Sequence, residues 1–148
     1  MKRRSAILLA LVVPCLAAVL WLWFLRPYAR NPDPGARATI RFTRIERDHG
    51  FFWLDVYLRI RPGDEHDLLK PVRLVTAAER EVEPAETTLE GSPERRIDAL
   101  SIRFWLEEED LEGPLRIRLN DGELVVRDDH GVPAIPSGEA VFRQTSRW

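Results

Sequence analysis

The stretch from Phe51 to Arg61, FFWLDVYLRIR, determines the fold class, because apolar and polar residues alternate along it. The apolar set is Phe52, Leu54, Val56, Leu58 and Ile60, and the residues between them are Trp53, Asp55, Tyr57, Arg59 and Arg61. Successive side chains of a β-strand point to opposite faces, so this period of two predicts an amphipathic strand.

The same alternation recurs on both sides of this strand. Further strands are predicted around Ile40 and Phe42 (expected to share one face), at 72–76, around Val82 and Leu89, and at 100–106, 115–119, 123–127 and 140–143. Asn120-Asp121-Gly122 is a hairpin signal, and Gly50 is expected to take a positive φ in the turn before Phe51. Seven or eight short strands without an amphipathic helix predict an all-β fold, an antiparallel sandwich of immunoglobulin-like architecture.

Residues 1–25 read as a basic start followed by a transmembrane signal-anchor helix. The run from Ser5 to Leu25 has no formal charge, and as a helix it would be about 32 Å long, enough to cross a bilayer. The positive flank places the N-terminus in the cytoplasm, and aromatic side chains are expected in the headgroup layer at the other end. The flank is Lys2, Arg3 and Arg4, and the aromatic residues are Trp21, Trp23 and Tyr28.

Two alternatives to an intact anchor remain open. The segment could be cleaved near Ala17, or Cys15 could be lipidated, although Pro14 departs from the small residue that a lipobox has before its cysteine. The apolar run also continues for ten residues beyond Cys15, which neither alternative needs. An intact helix, with the membrane as its partner through residues 5–25, is the favoured interpretation.

A proline-rich stalk is predicted at 26–37, and the folded domain at 38–148. The chain has 20 Arg and 2 Lys, a bias typical of GC-rich bacterial genomes. We therefore expect a single-pass protein of the inner membrane, with the C-terminal domain in the periplasm or outside the cell. Another protein of the envelope is the expected kind of partner.

Charge and cysteine content exclude several classes of function. The chain carries a net charge of −2, and residues 31–148 hold 17 basic against 24 acidic residues, a net −7. An acidic domain of this kind argues against nucleic-acid binding. A single cysteine excludes an internal disulfide framework and a zinc site built from cysteines.

One face of the predicted sheet carries the candidate binding residues. If the apolar positions point inward, alternation sends a set of aromatic and arginine side chains outward: Trp53, Tyr57, Arg59, Arg103, Trp105, Arg116 and Arg118. Trp, Tyr and Arg dominate binding hot spots. The alternative is a self-satisfied ladder, in which the arginines lie over the rings and pair with Asp55 or another carboxylate.

No catalytic motif is present in the sequence, so we predict no enzyme activity, no catalytic residues and no cofactor or metal. The leading hypothesis is a non-catalytic interaction or assembly role. A carbohydrate- or ligand-binding domain using Trp53, Tyr57 and Trp105 is the alternative. A metal-assisted hydrolase is a remote one, and it would use His49, His66 and His130, which all lie in predicted loops. The acidic stretch 107–112 is interpreted as a solvated connection rather than a Ca²⁺ site.

Overall fold

The computed structural model describes residues 2–24, 28, 33–92 and 96–148. Within these residues a helix, α1, spans Lys2–Phe24, and nine strands follow it. The strands are β1 (Ala38–Asp48), β2 (Phe51–Ile60), β3 (Arg73–Val75), β4 (Glu81–Val82), β5 (Glu86–Gly91), β6 (Ile97–Glu107), β7 (Leu115–Leu119), β8 (Gly122–Arg127) and β9 (Ala140–Arg143). Short 3₁₀ turns occupy Pro34–Ala36 and Glu108–Leu111.

The strands form two antiparallel sheets, so the predicted all-β sandwich is confirmed. Sheet A has five strands in the order β5-β6-β2-β1-β9, and sheet B has four in the order β4-β3-β7-β8. The two long hairpin strands β1 and β2 form the centre of sheet A together with β6. The two shortest described strands, β4 and β3, lie together at one side of sheet B.

The core lies between the two sheets and follows the alternation of the sequence. The apolar positions of β2, β6 and β7 are buried: Phe52, Leu54, Val56, Leu58, Ile60, Leu100, Ile102, Phe104, Leu106, Leu115, Ile117 and Leu119. The residues between these apolar positions are more exposed. Asp55, between Leu54 and Val56, is the exception and is also buried. Burial of one face of each strand is the main source of stability in such a sandwich.

A β-bulge at Arg41 makes one prediction wrong. The pairing of β1 with β2 shifts between Ile40, which lies opposite Leu58, and Phe42, which lies opposite Tyr57. An extra residue in one strand reverses the faces of the residues that follow it. Ile40 is therefore buried in the core, whereas Phe42 stacks on Tyr57 at the outer side of sheet A. The two residues do not share a face.

The turn between β1 and β2 differs from the prediction in one residue. Asp48 pairs with Phe51, which leaves a two-residue turn. His49, and not Gly50, has the positive φ, at 57°. The hairpin between β7 and β8 is confirmed, with Asn120 at a φ of 54°. Both residues can adopt this left-handed region at small cost in a tight turn.

The segment before β1 belongs structurally to the sandwich. Ala36 is fully buried, and the Asp33 carboxylate accepts hydrogen bonds from the backbone N–H groups of Gly35 and Glu123, both at 2.9 Å. A Cβ atom on Gly122 would lie 2.1 Å from the backbone nitrogen of Ala36. Only glycine permits this approach of the two backbones, so the segment packs directly against the β7–β8 hairpin.

Tyr28, within the predicted stalk, contributes to the core. Its ring is buried, and its hydroxyl donates to the carbonyl oxygen of Val126 at 2.6 Å. It also accepts a hydrogen bond from the indole of Trp148 at 3.2 Å. Burial raises the pKa of the Tyr28 phenol above its ordinary value of 10.0. Tyr28 therefore lies inside the sandwich and not in a headgroup layer.

The N-terminal residues form the predicted helix. The described side chains of α1 are exposed and include Leu8, Leu11, Val12, Val13, Leu16, Val19, Leu20 and Trp21. Cys15 is also exposed. Among the residues that the structure describes, no helix combines the length and the hydropathy needed to cross a bilayer, so the predicted membrane span is not confirmed.

Candidate functional site

The sandwich divides the seven predicted binding residues between its two outer surfaces. Five lie on strands of sheet A: Trp53, Tyr57, Arg59, Arg103 and Trp105. Arg116 and Arg118 lie on β7 of sheet B. The set is therefore not one surface, and the outer face of sheet A carries the larger part.

A row of charged side chains crosses the outer face of sheet A. In register across four strands lie Glu86 of β5, Arg103 of β6, Asp55 of β2 and Arg44 of β1. Arg103 donates to the two Asp55 carboxylate oxygens at 2.7 and 3.2 Å. Arg44 donates to Asp55 at 3.1 Å. Each charge of the row thus lies beside an opposite charge.

Asp55 is buried although it points away from the core. Its exposed fraction is 4%, because the guanidinium groups of Arg44 and Arg103 cover it. The hydrogen bond to Asp55 raises the pKa of Arg103 above its ordinary value. Arg103 also lies over the Trp53 ring, 5.4 Å from its centroid. This arrangement is the self-satisfied ladder weighed above, and it holds the Arg103 side chain in one position.

Aromatic side chains flank the charged row on both sides. On one side Trp53 lies opposite Trp105, and Phe51 packs on Trp105 with ring centroids 4.7 Å apart. On the other side Phe42 stacks on Tyr57 at 4.3 Å and contacts Phe142 at 6.0 Å. We call these residues the aromatic rows. Phe51, Trp105 and Phe142 are exposed by 43%, 38% and 62%.

Sequence reasoning missed three members of the aromatic rows. Phe42 was expected to share a face with Ile40, because a bulge leaves no mark in a period-two pattern. Phe51 precedes the alternating run, and Phe142 belongs to a short final strand whose place beside β1 depends on the tertiary fold. Of these three residues, only Phe51 is in phase with Trp53 and Tyr57 along β2, so only Phe51 could have been found from the alternation.

A polar cleft of about 210 Å³ opens beside the charged row. Its lining residues are Asp55, Tyr57, Glu86, Thr88, Ser101 and Arg103. The lining thus combines carboxylate, guanidinium and hydroxyl groups with one aromatic residue, Tyr57. This is a set of donors and acceptors suited to a small polar ligand.

The arginines of sheet B pair within their own surface. Arg116 bonds to Glu79 at 2.5 Å and to Glu123 at 2.9 Å. Arg118 bonds to Glu81 at 2.5 Å and to Glu123 at 3.2 Å. The hydrogen bond to Glu79 is the main cause that raises the pKa of Arg116. Arg59, by contrast, is exposed and makes no ion pair with the described residues.

The three histidines do not converge. His49 lies in the β1–β2 turn, with its Nδ1 2.8 Å from Asp48. His66 Nδ1 lies 2.9 Å from the Asn120 side-chain oxygen and therefore donates to it, and His130 is exposed in another loop. Within the described ranges no three His, Cys, Asp or Glu side chains are placed to hold a metal ion.

The sequence matches no known family model, and neither the curated proteins nor the solved structures contain a significant match to the chain. The chemistry of the outer face of sheet A therefore carries the functional argument. Paired charges and partly exposed rings on a rigid sheet can bind a protein surface or a polar ligand.

Proposed function

We propose that this chain is a single-pass membrane protein whose β-sandwich binds another protein of the bacterial envelope without catalysing a reaction. The single observation that carries the proposal is the outer face of sheet A, where exposed aromatic rings flank a row of paired charges. Aromatic residues and arginine are the residue types that supply much of the binding energy in protein interfaces. The finer features of the proposal are an immunoglobulin-like architecture, a membrane-spanning role for α1 and a periplasmic sandwich.

The rigidity of the charged row supports a binding role. Asp55 and the ring of Trp53 hold Arg103 in place before any partner arrives. A partner therefore loses little side-chain entropy on this arginine when it docks. The Arg103 side chain is still 37% exposed, and its guanidinium can offer its remaining N–H groups to a carboxylate.

The exposed apolar side chains of α1 support the anchor. In water a helix with this surface would leave several large side chains without apolar contacts. Phe24 ends α1 and Tyr28 is already inside the sandwich. At no more than about 3.6 Å per residue, the chain between them can reach about 14 Å. The sandwich would then lie close to the membrane.

Crosslinking from membranes tests the interaction. The experiment compares the native protein with a variant in which Phe51, Trp105 and Phe142 are replaced by alanine, since these exposed rings are not part of the core. The control replaces Val125 and Arg116 by alanine on sheet B, where Val125 is 47% exposed. A partner captured by the native and control proteins and lost with the triple variant supports the proposal. Equal capture by all three contradicts it.

Fractionation tests the anchor separately. We expect the full chain to stay in the membrane pellet after washing with alkaline carbonate, and a chain without residues 2–24 to be released. Protease added outside the inner membrane should digest the sandwich and leave a short protected fragment. Release of the full chain by carbonate would overturn the membrane assignment and leave the proposed interaction face untouched.

The polar cleft favours a second candidate, a carbohydrate-binding role. Sugars are bound by aromatic rings together with carboxylate, guanidinium and hydroxyl groups, and the cleft beside Tyr57 offers all of these. Glycans should then quench tryptophan fluorescence, because Arg103, which lines the cleft, lies over the Trp53 ring. Replacing Ser101 by alanine and Thr88 by valine should weaken the quenching at least tenfold. If no glycan of a broad panel quenches the fluorescence, this candidate is rejected.

A further inference from the structure

The free edges of the two sheets are not protected equally. In sheet B, β8 is covered: Glu123 N–H donates to Asp33, and Asp121 N–H donates to the carbonyl oxygen of Gly35 at 3.0 Å. The opposite edge strand, β4, has two residues, and β9 of sheet A has four. The remaining edge strand, β5, has six residues, and all six are exposed.

An uncovered edge strand is able to pair with another chain. Among the described strands β5 pairs with β6 alone. In an antiparallel ladder half of the backbone N–H and C=O groups of an edge strand point away from its neighbour. Natural edges are commonly protected by proline, charged side chains, β-bulges or a covering segment. The β5 sequence, ETTLEG, contains neither proline nor lysine. Its two glutamates disfavour an acidic strand but not a basic one, and its bulge, between Glu90 and Gly91, leaves residues 86–90 in regular register.

The side chains of β5 differ between its two faces. On the outer face Glu86 lies opposite Arg103, and Glu90 lies opposite Ala99. Neither carboxylate lies within ion-pair distance of a basic group in the described part of the chain, although the charge of Glu86 acts on the neighbouring Arg103. On the other face Leu89 lies opposite Leu100, but Leu89 is 45% exposed whereas Leu100 is 1% exposed. Sheet B therefore does not cover the apolar side of β5.

We propose that β5 binds an extended segment of a partner protein as an added antiparallel strand, in which basic and apolar residues alternate. The backbone groups of the edge would supply the hydrogen bonds, as in other cases of strand addition. Basic side chains of the segment would face Glu86 and Glu90, and its apolar side chains would extend the interior surface beside Leu89. The net charge of −7 over residues 31–148 also attracts a basic segment.

A second copy of this chain is a poorer occupant of the same edge. Two β5 strands paired antiparallel with their outer faces aligned would bring four carboxylates together, Glu86 and Glu90 of each copy. Like charges across neighbouring strands destabilise the pair. The partner is therefore a different protein.

This surface is distinct from the aromatic rows, so the strand-addition proposal and the proposed function can fail separately. Phe51, Trp105 and Phe142 lie on β2, β6 and β9, and none of them is on β5. The triple alanine variant should therefore still bind a basic strand.

A peptide titration tests the proposal on the full chain in detergent micelles. The probe is a short fluorescent peptide of alternating lysine and valine with blocked termini, and its anisotropy reports binding. The matched probes are the same peptide with glutamate for lysine, and one with proline at the central valines. We expect the basic peptide to bind at least tenfold more tightly than either.

Charge reversal provides the decisive comparison. The variant with Glu86→Lys and Glu90→Lys should bind the basic peptide at least tenfold more weakly than the native protein does. The same variant should bind the acidic peptide more tightly. The control variant with Glu109→Lys and Glu112→Lys changes the net charge equally at exposed positions outside β5 and should bind as the native protein does. Equal binding of the basic peptide by all three proteins, equal binding of the proline peptide, or a dimer that the β5 reversal disrupts would each overturn the proposal.

Discussion

The indole Nε1 of Trp148 donates a hydrogen bond to the hydroxyl oxygen of Tyr28 at 3.2 Å, across 120 positions of the chain. The same hydroxyl donates to the carbonyl oxygen of Val126 at 2.6 Å. Tyr28 thus joins the segment before β1 to β8 and to the last residue of the chain. Two segments that belong to neither sheet, one at Tyr28 and one at Trp148, therefore pack together against β8.

Replacing Tyr28 by phenylalanine should lower the free energy of unfolding by about 1–3 kcal/mol, because a buried donor and a buried acceptor lose their shared partner. A denaturant titration of the full chain in micelles measures the change. The control is Tyr57→Phe, since Tyr57 is half-buried and stacks on Phe42 through its ring. If both substitutions have the same effect, the Tyr28 hydroxyl does not have this role.

Arg127 is fully buried, and backbone oxygens rather than an acidic side chain accept its hydrogen bonds. Its guanidinium donates to the backbone oxygens of Leu111, Gly131 and Trp148 and lies 5.3 Å from the centroid of the Trp148 ring. Burial lowers the pKa of Arg127 from its ordinary value. One side chain thus ties three loops to β8.

Substitution of Arg127 by methionine should lower the free energy of unfolding by about 3 kcal/mol, because three backbone oxygens lose a charged donor at once. Lysine at this position should recover only part of the loss, since an ammonium group cannot form the same fork. Thermal unfolding of both variants gives the ranking. Arg118→Met, at an exposed ion-paired position, should cost less than about 1 kcal/mol.

Asp55 neutralises two arginines, so Asp55→Asn should reduce stability by about 2 kcal/mol, less than for a fully buried pair because Arg44 and Arg103 are partly exposed. High salt should diminish the loss by screening the repulsion between the two guanidinium groups. The matched control is Asp121→Asn at an exposed pair with Lys70, for which we expect a smaller loss. Denaturant midpoints at two salt concentrations check both. A larger loss of stability for Asp121→Asn than for Asp55→Asn would contradict the role of Asp55 in neutralising the two arginines.

The Asp33 carboxylate should make stability depend on acid pH. Hydrogen bonds from the backbone N–H groups of Glu123 and then Gly35 lower its pKa below the ordinary value of 3.8. A carboxyl whose pKa is lower in the folded state stabilises the fold above pH 3.8, and this stabilisation is lost as the pH falls through the folded-state pKa. The stability difference between the native protein and Asp33→Asn should therefore be constant near neutral pH and shrink in acid. A difference that persists unchanged in strong acid would exclude the carboxylate charge as its source.

Local pattern alone determined the strands, the sandwich and the outward direction of Trp53, Tyr57, Arg103 and Trp105. Each of these follows from the period of two, because a strand half-buried against a core needs apolar residues on one face only. The Asn120-Asp121 turn was predictable for a second reason, because turn formation depends on the types of a few adjacent residues.

Only the tertiary structure decided which of these residues meet. The bulge at Arg41 moved Phe42 to the outer face, and the strand order placed Arg116 and Arg118 on the other sheet. The hydrogen bonds of Tyr28 and Arg127 to backbone oxygens join segments far apart in sequence. Such contacts depend on strand order and on backbone approach between distant segments, and neither leaves a periodic signal in the residues themselves.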